Sequence, residues 1–168
     1  MKEYNDYVST VRRWLKNYTK FKITLANLED EIEAKTKELE TDINAPIAKY
    51  STEPGGGFAE LNGIESAASK HEFIRAEIEE MKKSVESIQR CIRKIDRALT
   101  GLSAEDNRLI TGYYIENMTW DELGREFAYT EKWARVHGSK AIRDMAIMIF
   151  GPSAGGDSDM QLRFVFAC

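Results

Sequence analysis

Thr119-Trp-Asp-Glu-Leu-Gly-Arg-Glu-Phe-Ala-Tyr-Thr-Glu-Lys-Trp-Ala-Arg-Val-His-Gly-Ser-Lys-Ala-Ile-Arg-Asp-Met145 contains two helix starts within 27 residues. Thr119 followed three positions later by Glu122 is a capping box, in which each residue satisfies an orphan backbone N–H of the other. Trp120, Leu123 and Phe127 then recur at helical spacing and form one apolar face. Ala128-Tyr129-Thr130 interrupts that face. Thr130 is a second N-cap candidate, and Glu131 beside it suits the positive end of a helix. Two helices joined by a turn of about three or four residues have the spacing of a helix-turn-helix, which sets its second helix into the major groove of DNA.

The periodicity of the second helix divides it into an inner and an outer side. Ala134, Val136 or His137, Ala141, Met145 and Met148 form the expected inner stripe, and Gly124 is expected where the two helices cross most closely. Lys132, Trp133, Arg135, Ser139 and Lys140 are then turned outward. Between Thr130 and Phe150 the chain carries Lys132, Arg135, Lys140 and Arg143 against only Glu131 and Asp144. Such a basic surface neutralises phosphates, and arginine bonds guanine edges in bidentate fashion. The same pattern is also compatible with an ordinary solvated helix face.

Leu102-Ser-Ala-Glu-Asp-Asn-Arg-Leu-Ile-Thr-Gly-Tyr-Tyr-Ile115, Met118-Thr-Trp-Asp-Glu-Leu-Gly124, Thr130 and Val136-His-Gly-Ser-Lys-Ala-Ile142 together resemble region four of bacterial sigma factors. The pattern is closer still to phage late-gene transcriptional regulators of the RinA/ArpU type, in which such a module follows a helical N-terminal region. The resemblance covers the last third of the chain well, and more loosely the N-terminal region with its break at Pro54-Gly-Gly-Gly57. It implies that Thr130 to Ser139, Val136 included, is the DNA-facing start of a recognition helix. The resulting set of DNA-binding candidates is Thr130, Lys132, Trp133, Arg135, Val136, Ser139, Lys140 and Arg143. Two departures stand out. The family's turn carries a glycine where the backbone must be left-handed, whereas this chain has Ala128, so the turn is either shifted by one residue or strained. Gly138 lowers helix propensity by about 1 kcal/mol within the second helix, which calls for close approach of a neighbouring helix or of a phosphate.

Upstream, Tyr4, Tyr7, Val11, Trp14, Tyr18, Phe21, Leu25, Leu28, Ile32 and Leu39 follow three-four spacing with one interruption at Lys35. Asn44-Ala-Pro46 ends the run, since proline cannot continue a helix. A second run extends from Ile64 to Leu102. Two helices of about 35–40 residues, roughly 55–60 Å each, separated by a Pro-Gly loop at 44–63, should fold back as an antiparallel coiled-coil hairpin. The expected fold is therefore all-α: a hairpin over 1–101, a small helix-turn-helix domain over 102–150, and a linker-like tail over 151–168. Antiparallel pairing would bring Arg12, Arg13 and Lys16 near Arg90, Arg93, Lys94 and Arg97, a second candidate surface for the DNA backbone. A salt-bridged coiled-coil surface explains these charges equally well. Long heptads commonly assemble across chains, so a homo-oligomer is expected.

Composition adds boundaries. The 168 residues carry a net charge of −4, so a uniformly basic nucleic-acid coat is excluded and binding must be local. Cys91 and Cys168 make no disulfide framework, the first residues lack the apolar core of a signal peptide, and no apolar run reaches the roughly 18 residues a membrane span needs. These features point to the cytoplasm, here that of a bacterial host cell. His71 and His137 lie far apart without metal-ligand spacing, and Pro54-Gly-Gly-Gly57 lacks the lysine of a phosphate loop. No enzyme, metal or cofactor is expected. The expected function is sequence-specific binding of double-stranded DNA by a transcriptional regulator, an activator of phage late genes with RNA polymerase as a further partner. The alternatives are a terminase small subunit, which usually places its DNA module before its hairpin, and a coiled-coil adaptor that binds polymerase without DNA.

Overall fold

A computed structural model describes residues 6–44 and 57–155. Among them the chain is all-α: α1 (Tyr7–Lys16), α2 (Tyr18–Asn44), α3 (Gly57–Gly101), α4 (Ala104–Tyr114), α5 (Trp120–Glu126), α6 (Glu131–Phe150) and a closing 3-10 turn (Pro152–Gly155). Pro54–Gly56, Tyr4 and the stretch from Leu162 to Cys168 lie outside the described residues. The expected loop at 44–63 is too long, because α3 already begins at Gly57. Glycine lowers helix propensity without forbidding a helix, and Ala59-Glu60-Leu61 between Gly57 and Gly63 are strong helix formers. The first helix is in turn divided at Asn17, whose side-chain amide donates to the Arg13 carbonyl at 2.8 Å. A side chain that competes for backbone acceptors in this way commonly ends or bends a helix.

The chain forms two compact units. One comprises the described residues of Met1–Lys22 and Arg90–Cys168, and the other is Ile23–Gln89. The helix α1 and the end of α3 therefore pack with α4–α6, across the expected boundary at 101/102.

Within Ile23–Gln89, α2 and α3 pair in antiparallel register. Glu29 meets Gln89, Lys35 meets Glu77 and Glu38 meets Lys70, so numbers rise along one helix as they fall along the other. Lys35, the interruption in the first heptad run, is accommodated by bonding Glu77 at 2.9 Å. Leu39, Ile74 and Ile78 are buried, with Ile32 packed against them. Leu25 and Leu28 on α2, and Met81, Val85 and Ile88 on α3, are each only half-buried.

The other unit has the larger core. Val11, Leu15, Ile95, Leu109, Ile110, Leu123, Ile142 and Met145 are all fully buried. Tyr7 and Trp14 of α1 pack on Phe150 at the end of α6, with ring centroids 4.9 and 5.4 Å away. Tyr18 donates its phenol proton to Asp96, and Lys22 lies over the Tyr18 ring. Arg108 fastens α4 to the end of α5 and to the loop between them, bonding Glu126 and Glu116 at 2.7 and 2.6 Å, and it holds the Glu126 carboxyl below the usual carboxylate range.

Candidate nucleic-acid interface

The elements that present α6 are set by local rules. Thr119 Oγ1 accepts from the Glu122 N–H while the Glu122 carboxylate accepts from the Thr119 N–H, which completes the capping box. The backbone bond holds Glu122 below its ordinary pKa. At the other end of α5, Tyr129 N–H donates to Gly124 O and Ala128 N–H to Arg125 O. This pair is a Schellman stop, whose left-handed position is filled by Ala128 at φ +58°. The turn is not shifted; it is strained.

Thr130 then caps α6 by accepting from Trp133 N–H. Gly124 stands where α5 comes close to the backbone at the start of α6. A Cβ there would meet the Thr130 and Tyr129 backbone at 2.9–3.0 Å, so the residue makes room for the turn. Gly138 makes room for a side chain, since a Cβ there would run into the Trp120 ring. Trp120 is itself stacked on Tyr113 at 3.9 Å. Leu109, Leu123 and Ala134 form the buried centre beneath these rings.

Ala128→Gly should stabilise the protein. Relief of a left-handed alanine gains about 1–2 kcal/mol, and the extra freedom of unfolded glycine returns about 0.5–1 kcal/mol. The expected net gain of roughly 0.5–1 kcal/mol corresponds to a Tm about 1–4 °C higher by calorimetry.

The faces of α6 differ from the expected stripe at two positions. Ala134, Gly138, Ala141, Ile142, Met145, Ala146 and Ile147 are buried, whereas Val136 and Met148 are exposed and His137 is half-buried. At about 100° per residue, the buried set apart from Ile147 centres on Gly138 and Met145, and Val136 falls on the opposite side, a face exposed as far as Arg143 and buried again at Ile147. Lys132, Arg135, Val136, Lys140 and Arg143 are exposed and Ser139 is half-buried; together they occupy an arc of about 140°. Arg135 is paired with Glu131. Lys132, Lys140 and Arg143 form no ion pair among the described residues.

Trp133 is half-buried rather than free. Its ring stacks between Tyr129 at 4.1 Å and His137 at 4.3 Å, with Phe127 at 5.9 Å. Thr130 is exposed, with its oxygen engaged in the cap.

The seven backbone candidates lie on α1 and the end of α3, which meet where Tyr18 donates to Asp96 and where Trp14 and Lys94 share the Phe150 ring. Arg12 lies beside the phenol of Tyr114, whose pKa burial raises against the opposing pull of the guanidinium. Lys16 lines an open cleft of about 370 Å³ with Tyr113, Tyr114, Asn117 and Met118. That cleft adjoins α6 through Tyr113 and its partner Trp120. Lys94 lies 5.9 Å above the Phe150 ring, on which Trp14 of α1 also packs. Arg13, Arg90, Arg93 and Arg97 are exposed. The cleft beside Lys16 was not legible in the sequence, because it joins residues about a hundred positions apart; the positive φ of Asn117 is its only local sign.

Among the described residues no helix is long and apolar enough to cross a membrane, and no cluster of three or more His, Cys, Asp or Glu side chains has the placement of a metal site. Comparison with protein-family models, curated proteins and solved structures finds no match to this chain.

Proposed function

We propose that this protein is a sequence-specific DNA-binding transcriptional regulator, an activator of phage late genes in a bacterial host cell, that inserts α6 into the major groove. The observation that carries this reading is the exposed arc of α6. Lys132, Lys140 and Arg143 stand on it without acidic partners among the described residues, on a helix anchored from behind by Ala134, Ala141 and Met145. Unneutralised cations along one rigid face suit phosphate and base contacts. The late-gene role rests on the resemblance to phage regulators of the RinA/ArpU type, and RNA polymerase as a partner on the resemblance to sigma region four. Footprinting on DNA flanking the protein's own gene tests the reading; a protected, sequence-selective site at moderate salt is the expected result, and uniform binding or none at low salt overturns it.

Backbone contacts should extend to the Lys16 cleft. Each phosphate contact contributes about 0.9 to the slope of log K against log salt. Lys16→Ala should flatten that slope by about one such increment, and a salt titration in which the slope is unchanged removes the cleft from the interface.

The homo-oligomer is proposed on Ile23–Gln89. Phe73 is 64% and Ile23 56% exposed there, beside a seam left half-buried along much of its length. A second copy of the chain would cover these apolar surfaces through the same heptads. Phe73→Asp should lower the mass measured by light scattering to that of one chain, without loss of helicity.

A further inference from the structure

The exposed arc of α6 is not uniformly polar. Val136 lies near its centre, 59% exposed, one turn after Lys132 and one turn before Lys140. Nothing within the fold calls for valine there. It lies on the side of α6 away from Gly138, which packs on Trp120, and more than half of it is open to solvent. A β-branched side chain also loses rotamer freedom in a helix, so a lysine, glutamate or alanine would serve a merely solvated position better. Where a local choice runs against both propensity and solvation, a function is the expected reason.

In the major groove the apolar landmark on a base edge is the C5-methyl group of thymine. Valine matches it, with two methyl groups on a short stem and no donor or acceptor to leave unpaired. Lys132 and Lys140 on either side supply the charge that holds the helix against the backbone. We propose that Val136 reads a thymine methyl group, so that the bound site has thymine at one fixed position. This inference rests on the DNA-binding reading above and names the base chemistry it recognises.

The test starts by selecting duplexes from a random pool with the full-length protein. Each thymine of the recovered site is then replaced singly by deoxyuridine, which deletes the methyl group and leaves base pairing intact. At one position the wild-type protein should bind the uracil duplex about fourfold more weakly, the equivalent of about 0.8 kcal/mol for one buried methyl group. Val136→Ala, an exposed change to a better helix former, should bind the thymine and uracil duplexes equally and match the wild-type affinity for the uracil duplex. If every thymine tolerates loss of its methyl group, or if Val136→Ala retains the fourfold difference, the assignment is overturned while DNA recognition stands. If no site is enriched at low salt, the DNA-binding reading fails and the assignment falls with it.

Discussion

Replacing Lys132, Lys140 and Arg143 together with alanine should abolish sequence-selective DNA binding and leave the fold intact. The three side chains are exposed, form no ion pair among the described residues, and lie on the arc of α6 that faces away from the core. Contacts of this kind are worth about 1–3 kcal/mol each when they reach a base edge. Even the lower figure for all three weakens binding by at least about a hundredfold. Stability should move little, since exposed substitutions away from special features usually stay within about 0.5 kcal/mol. Parallel measurement of affinity by gel shift and of Tm by circular dichroism separates the two effects. Undiminished binding by a folded triple variant would remove α6 from the interface.

Leu123→Ala should act through stability instead. Leu123 is fully buried between α4 and α6, and its Cδ2 atom lies 2.6 Å from the place a Cβ would take on Gly112. Truncation leaves a cavity that the backbones cannot easily close, because α5 is pinned at both ends by its capping box and its Schellman stop. Leucine-to-alanine changes at such sites cost about 2–5 kcal/mol. A Tm lower by about 4–20 °C is expected, with DNA binding lost as α6 loses its support. Leu123→Met conserves volume and should cost less than about 1.5 kcal/mol. If both variants melt alike, the packing account of this site is wrong.

Much of the helical content is legible in the chain because it is written in local chemistry. Thr119 with Glu122, and Thr130 with Glu131, mark two helix starts through groups that satisfy neighbouring N–H donors. The heptad runs mark α2 and α3 through a periodicity that needs no partner to be seen. What stays hidden is tertiary. Gly138 reads as a weak point in a helix until Trp120, eighteen positions earlier, is placed across it. Val136 and His137 are interchangeable by spacing, and only the packing of Trp133 against His137 separates a half-buried ring from an exposed valine. The basic residues of α1 and α3 resemble one surface because their charge is alike. Only the packing shows how they meet, with Trp14 of α1 and Lys94 of α3 on one Phe150 ring. Ala128 shows the reverse case: its sequence poses a choice between shift and strain, and one positive φ decides it.

The packing of Trp14 on Phe150 also sets an order of events during synthesis. The two residues are 136 positions apart, and a ribosome adding 5–20 residues per second needs roughly 7–27 s to pass from one to the other. Throughout that interval the inner face of α1, with Val11 and Leu15, lacks the helix it will be buried against. The α2–α3 pair of Ile23–Gln89 draws only on residues already made and is free to form meanwhile. The unit that contains α6 is therefore the last part of the described chain to close, and it closes around a helix made long before it.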